Sequence, residues 1–219
     1  MKFAYSLMLA VLFSFHLSAQ YANRDGNRIG ISGGVSQSIL LNSNFNSKVG
    51  FGYAGGFSVR GNYYNNWSMI YGMQFFQNTV LIETIAENGL KKDTDFNLTG
   101  VQIRLLGSYN IIKNHVSVDF GPVLQVSGKF TTNAQEKNNT IVNTALTAKQ
   151  IEDIRNINGN IYVGFSAGGK VVCALVFYQY GFTNIFNKLN ANPGLVSLNN
   201  NKVFRGTIGT ISGQIIFNL

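Results

Sequence analysis

Acid–base chemistry would need a histidine first, and beyond residue 19 the chain has one, His115. It stands beside a short polar turn and reads as a surface side chain rather than a general base. The run Gly50-Phe-Gly-Tyr-Ala-Gly55 matches a dinucleotide fingerprint in letters. It lies inside a strand pattern with no helix after it, so a row of small inward residues explains it better. Glu83, Glu87, Asp93 and Asp95 could gather a cation on one connection, although solvated loop charge is the usual meaning of such a group. Cys173 is the single cysteine, so no disulfide framework or Cys/His metal cluster exists. No catalytic, metal or cofactor residues are expected. The chemistry that remains belongs to Arg60, Arg104, Asp119, Gln125 and Lys129, which alternation places on one polar face. Facing each other in a narrow interior they would form a salt-bridge and hydrogen-bond network, with a proton or ion path as the alternative use of the same charges.

The elements that position these residues are strands. From 203 to 219, Ile211, Ile215, Phe217 and Leu219 mark one oily face and Thr210, Ser212, Gln214 and Asn218 a polar one. Such a period of two is the strand signature, because successive side chains point to opposite sides of a sheet. The same alternation predicts strands from Arg28 onward and over 49–60, 67–78, 96–109, 115–130, 160–168 and 171–182, eight in all. Pro122 sits within the fifth and predicts a bulge or bend there. The connections alternate long and short: 37–48, 61–66, 79–95, 110–114, 131–158, 168–170 and 184–202. Thr147 to Gln150 fits a capping box, and Leu146, Ile151, Ile154 and Ile157 predict a short helix ending near Gly159.

One face carries Phe, Tyr, Trp, Val, Ile and Leu, and the other Gly, Ser and single charges. Eight strands enclose a space that side chains only just fill, so a crowd of inward aromatics from every strand would overpack it. The bulky face must look out, where only lipid tolerates it. The expected fold is therefore all-β, an eight-stranded antiparallel up-and-down transmembrane β-barrel with external long loops, periplasmic short turns and a plugged lumen that conducts little. Tyr63, Tyr64, Trp67 and Tyr109, beside the short turns, would form the periplasmic aromatic girdle.

Composition agrees. Of 219 residues only 12% are charged, while glycine (24 residues) and aromatics (13%) run high, as many strands with tight turns require. Lys2, the apolar run to Leu17 and the Leu17-Ser18-Ala19 site predict a secretory signal peptide over 1–19, leaving a barrel domain over 20–219. Without that leader the chain has sixteen basic and nine acidic residues, a net of +7. The basic residues are scattered singly, which argues against nucleic acid and fits anionic headgroups. Outer-membrane lipid and lipopolysaccharide are the expected partners, with other envelope proteins engaged through the external loops.

The text Phe96-Asn-Leu-Thr-Gly-Val-Gln-Ile-Arg-Leu-Leu-Gly-Ser-Tyr109, followed by Asp119-Phe-Gly-Pro122, resembles the PorT-like outer-membrane β-barrel family. Ile103, Leu105, Tyr109, Gly121 and Pro122 match its pattern, while Arg104 and Ser108 stand where a proline and a lysine are usual. Tyr178-Gln-Tyr-Gly-Phe-Thr-Asn-Ile185 is similar to the seventh strand of that family. The resemblance implies a bacterial outer-membrane barrel of a kind linked in some members to secretion or gliding; with no catalytic constellation in the sequence, the expected role is non-enzymatic, that of an envelope-structural or accessory subunit. A narrow solute channel, or a barrel enzyme acting on lipid or peptide, is the alternative.

Overall fold

In the computed structural model, residues 28–42, 44–113 and 115–219 are described, apart from the side chains of Asn42 and Tyr64. The expected leader, 1–19, and the start of the expected domain at Gln20 lie outside the described residues. Nine strands follow one another: β1 (Arg28–Asn42), β2 (Ser47–Tyr64), β3 (Trp67–Ile85), β4 (Lys91–Ile112), β5 (Val116–Ser127), β6 (Thr140–Ile141), β7 (Ile157–Gly168), β8 (Val172–Gly181) and β9 (Gly206–Asn218). All neighbours are antiparallel, in the order β2-β1-β9-β8-β7-β5-β4-β3, and β2 pairs again with β3. That last pairing closes eight strands into a ring without a free edge. The first and final strands are zipped together, from Gly30 opposite Asn218 to Asn42 opposite Gly206.

The bulky face of every strand points away from the ring. Val35, Phe57, Phe75, Ile103, Leu124, Phe165, Val176 and Ile211, one from each barrel strand, are all exposed. A continuous apolar belt around a closed barrel is tolerated by hydrocarbon and not by water, so the fold is a transmembrane β-barrel.

About ten tilted residues suffice to cross a bilayer. The 10 residues of β8 and 12 of β7 meet that length, whereas β3 with 19 and β4 with 22 overrun it. The overrun corrects two expectations. Most of 37–48 and 79–95 is strand rather than loop, leaving 44–46 and 86–90 as connections among the described residues. Alternation continues through them with a changed exterior. Leu40, Ile82, Thr84, Thr94 and Phe96 still point inward and are buried, while Lys48, Lys91, Lys92 and Asp93 point to solvent. Charge on the outer face imitated a loop.

Above the barrel these extensions meet the two long connections in one packed core. Leu40, Phe45, Phe96, Phe130, Ile151, Ile154, Phe186 and Phe204 are among its buried members. Phe45 meets Phe186 edge-on at 5.6 Å, and Phe96 meets Phe130 at 5.7 Å. The predicted helix contracts to a single 3-10 turn, Ala148–Ile151, in which Gln150 Oε1 accepts from the Thr147 N–H at 2.9 Å. It stops there because 152–156 runs back beside β5. The Phe130 N–H donates to Glu152 O and the Ser127 N–H to Asn156 O, and Ile157 already belongs to β7. The second connection carries a short helix, α1 (Pro193–Leu198), capped by Asn192. The tiny β6 ties the first connection to the top of β3.

Of the bulge or bend expected at Pro122, the bulge is not formed, and the proline leaves a gap in the ladder. The β4–β5 pairs pass from Arg104–Val123 to Gly107–Phe120 in one register. Its side chain points outward, and the missing N–H removes a ladder donor without adding a residue.

Candidate functional site

The lumen near the short-turn end is built by polar side chains from four strands. Arg60 leaves β2 and crosses the interior. Its Nη1 donates to Ser108 Oγ on β4 at 2.7 Å, and its Nη2 lies 3.4 Å from both carboxylate oxygens of Asp119 on β5. It reaches Ser166 Oγ on β7, the strand opposite β2 in the ring, at 3.4 Å. Ser108 and Ser117 both donate to Asp119 Oδ1, at 2.5 and 2.9 Å, and Ser117 shares a further bond of 2.6 Å with Ser166. Ser108 and Asp119 are register partners, so the ladder itself sets that contact. Asp119 is 2% exposed.

One level deeper, Arg104 turns into a partly aromatic environment. Its Cζ stands 5.9 Å from the Tyr162 ring centre and 5.8 Å from that of Phe177. The two rings stack at 4.7 Å. Gly164 lets them do so, since a Cβ there would fall 2.7 Å from Phe177 Cβ and 2.9 Å from the Tyr162 hydroxyl oxygen. Ile70, Leu106, Val123 and Leu175 complete this layer, with Ile216 packed against it. The expectation of an interior made of small polar groups therefore needs correcting. Bulky inward residues come from β3, β4, β5, β7, β8 and β9, and their volume is offset by Gly30, Ser32, Gly34, Gly52, Ala54 and Gly56 on β1 and β2.

Above this layer lies a belt of amides. Gln102 Nε2 donates to Gln125 Oε1 at 3.0 Å, and Asn160 Nδ2 donates to the same oxygen at 3.2 Å. Ser36 bonds Asn78 at 2.9 Å, and Ser38 bonds Thr210 at 2.9 Å. From the short turns upward the lumen is thus an ionic layer, an aromatic layer, an amide layer and finally the apolar cap.

Of the five polar residues singled out in the sequence, Arg60, Arg104, Asp119 and Gln125 line this lumen. Lys129 does not. Strand β5 ends at Ser127, and Gly128 and Lys129 are both exposed, so alternation slips by one residue and Phe130 turns into the cap. Lys129 lies at the surface, 3.4 Å from Asp153.

Trp67 and Tyr109 are register partners on the outer face, edge to face at 5.1 Å, with Phe120 6.2 Å from the indole. Tyr63 is exposed near the same turn, and the Tyr64 side chain lies outside those described. Tyr162 and Phe177 were missed as lumen residues. Both follow from parity, since Ile161 and Val163 point out around one and Val176 and Tyr178 around the other.

His115 Nδ1 lies 3.0 Å from the Gly168 carbonyl between two short turns. Asp93 is paired with Lys48 at 2.8 Å, and Glu83 accepts from Asn46 at 3.0 Å. Among the described residues no group of His, Cys, Asp and Glu is disposed to hold a metal ion.

The fold and lumen define the class, a small closed barrel with a lipid-facing exterior and a filled interior. No protein-family profile and no curated protein sequence matches the chain. Solved structures of similar shape include the Neisserial surface protein A, at 12% identity and a TM-score of 0.48, covering 88% of this chain and 98% of that one. The attachment invasion locus protein Ail of Yersinia pestis gives 16% identity and 0.46, covering 89% and 99%. OprG of Pseudomonas aeruginosa gives 8% and 0.46, covering 89% and 97%.

Proposed function

We propose that this chain is a small integral barrel of the bacterial outer membrane, without enzymatic activity, that holds a rigid surface outside the membrane for other envelope components. The observation that carries the reading is the cap. The long connections do not hang free but bury phenylalanines and isoleucines from five separate segments in a core of their own. A core that fixes loops preorganises their outer surface, which lowers the ordering cost of binding a partner. The cap and the aromatic layer lie across the lumen at two levels, which suits a presenting barrel better than a pore.

In this reading the long-loop end is external, and the short turns, the start of β1 at Arg28 and the end of β9 at Asn218 are periplasmic. Exposed Lys91, Lys149, Lys202 and Arg205 supply positive charge at the external end for lipopolysaccharide phosphates. The PorT-like pattern around Ile103, Tyr109 and Pro122 suits an accessory subunit of a secretion or gliding apparatus.

Lys149→Glu and Lys202→Glu change the cap surface without touching its core. Gentle detergent extraction followed by quantitative mass spectrometry should show loss of specific co-purifying envelope proteins from the double variant while the barrel stays folded. Unchanged co-purification would contradict the reading. Planar-bilayer recordings should show no conductance steps above background.

A further inference from the structure

Arg104 is 5% exposed and takes part in none of the ion pairs among the described residues. A guanidinium stays protonated in a protein, so the positive charge persists despite burial. The carboxylate available in this part of the lumen, Asp119, is already engaged by Arg60 and by the hydroxyls of Ser108 and Ser117. Tyr162 and Phe177 offer Arg104 their ring faces, which attract a cation but do not neutralise it.

Arg104 also borders a cavity of about 60 Å³ at the short-turn end of the lumen. A water needs roughly 10–15 Å³ on this measure, so the space admits a small polyatomic group. Its walls carry Arg60 and Arg104 against the carboxylate of Asp119, one positive charge in excess among these three. Buried charge of one sign calls for a counter-charge.

We propose that this cavity is an anion site, which holds a small oxyanion, a phosphate or a carboxylate, against the Arg104 guanidinium. The guanidinium fork presents parallel N–H donors at the spacing of two oxyanion oxygens, a match that a halide or a point-charge lysine does not reproduce. Arg60 also borders the cavity. Ligand of this kind would complete the ionic layer and fix the short-turn half of the barrel, an action independent of the external surface.

The test uses the full protein in a maltoside detergent and phosphate-free buffer, with the thermal unfolding midpoint followed while sodium phosphate, sodium acetate or sodium chloride is added at matched ionic strength. An anion at ten times its dissociation constant shifts the folding equilibrium elevenfold, which at this chain length raises the midpoint by roughly 3–6 °C. A saturable rise with phosphate that exceeds chloride, and that is absent in Arg104→Met, is the expected result. The same rise with acetate instead assigns a carboxylate ligand. Should Arg104→Met fail to fold, Arg104→Lys keeps the charge and loses the fork, and its half-saturating concentration should rise at least tenfold. Equal responses to all three salts, no response to either oxyanion, or an unchanged response in the Arg104 variants would overturn the proposal.

Discussion

Arg60 and Asp119 face each other from β2 and β5, three strands apart around the ring, with a guanidinium nitrogen 3.4 Å from each carboxylate oxygen. The contact spans the lumen instead of following a wall. It therefore reports on the closed barrel, since neither residue could meet the other in an open sheet.

Removing the carboxylate should cost more than removing the whole pair. Asp119→Asn leaves Arg60 without its counter-charge and should destabilise the barrel by about 3–5 kcal/mol. In the double variant Arg60→Gln/Asp119→Asn much of that loss should return. Urea unfolding in lipid vesicles would check the sign of this coupling, and additive losses would contradict it.

Lys129→Ala should change stability by less than about 1 kcal/mol, because the Lys129–Asp153 pair is solvent-exposed at 64% and 51%. The same unfolding assay, run beside Asp119→Asn, separates the lumen charges from the one that alternation alone would have put among them.

Glycines along the barrel wall are not equivalent. At Gly56 an added Cβ would lie 2.1 Å from the Met73 carbonyl oxygen, a backbone atom of β3 that cannot step aside. At Gly33 nothing lies within 4 Å. Gly56→Ala should weaken the β2–β3 closure by about 1–3 kcal/mol, while Gly33→Ala should be nearly neutral. Heat-modified gel mobility of the two variants distinguishes them.

The cap should open without the barrel. Phe186 is fully buried and touches Phe45, Phe130 and Phe204. Phe186→Ala should cost the cap about 3–5 kcal/mol and expose 131–156 to protease, with the membrane-embedded strands still protected. Loss of the whole barrel in this variant would show that the cap is not a separate cooperative unit.

Most of the barrel was legible because one rule, the period of two, holds over every strand and is local. It placed Arg60, Arg104, Asp119 and Gln125 inside and Trp67 and Tyr109 outside from neighbouring residues alone. The rule failed where its chemical contrast changed. At 79–95 the outer face becomes charged once it leaves lipid, so strand looked like loop. At Gly128 the ladder ends and the phase slips, so Lys129 and Phe130 exchanged sides. The cap was not legible, because Phe45, Phe130, Phe186 and Phe204 come from distant segments and no local period joins them. The direction of Arg60 across the lumen was likewise a matter of ring closure, which no single strand encodes.

The claim on which everything else depends is that odd-numbered side chains of β3 meet lipid and even-numbered ones do not. Spin labels placed singly at cysteines from 68 to 78 in a Cys173→Ser background, with the protein in lipid vesicles, measure it directly through collision with oxygen and with a water-soluble nickel complex. Oxygen access should peak at 69, 71, 73 and 75 and fall at 70, 72, 74 and 76, with the nickel complex excluded from the odd set. Nickel access at Met73 and Phe75 equal to that of an exposed loop site, or an oxygen profile without a period of two, would contradict a lipid-facing barrel.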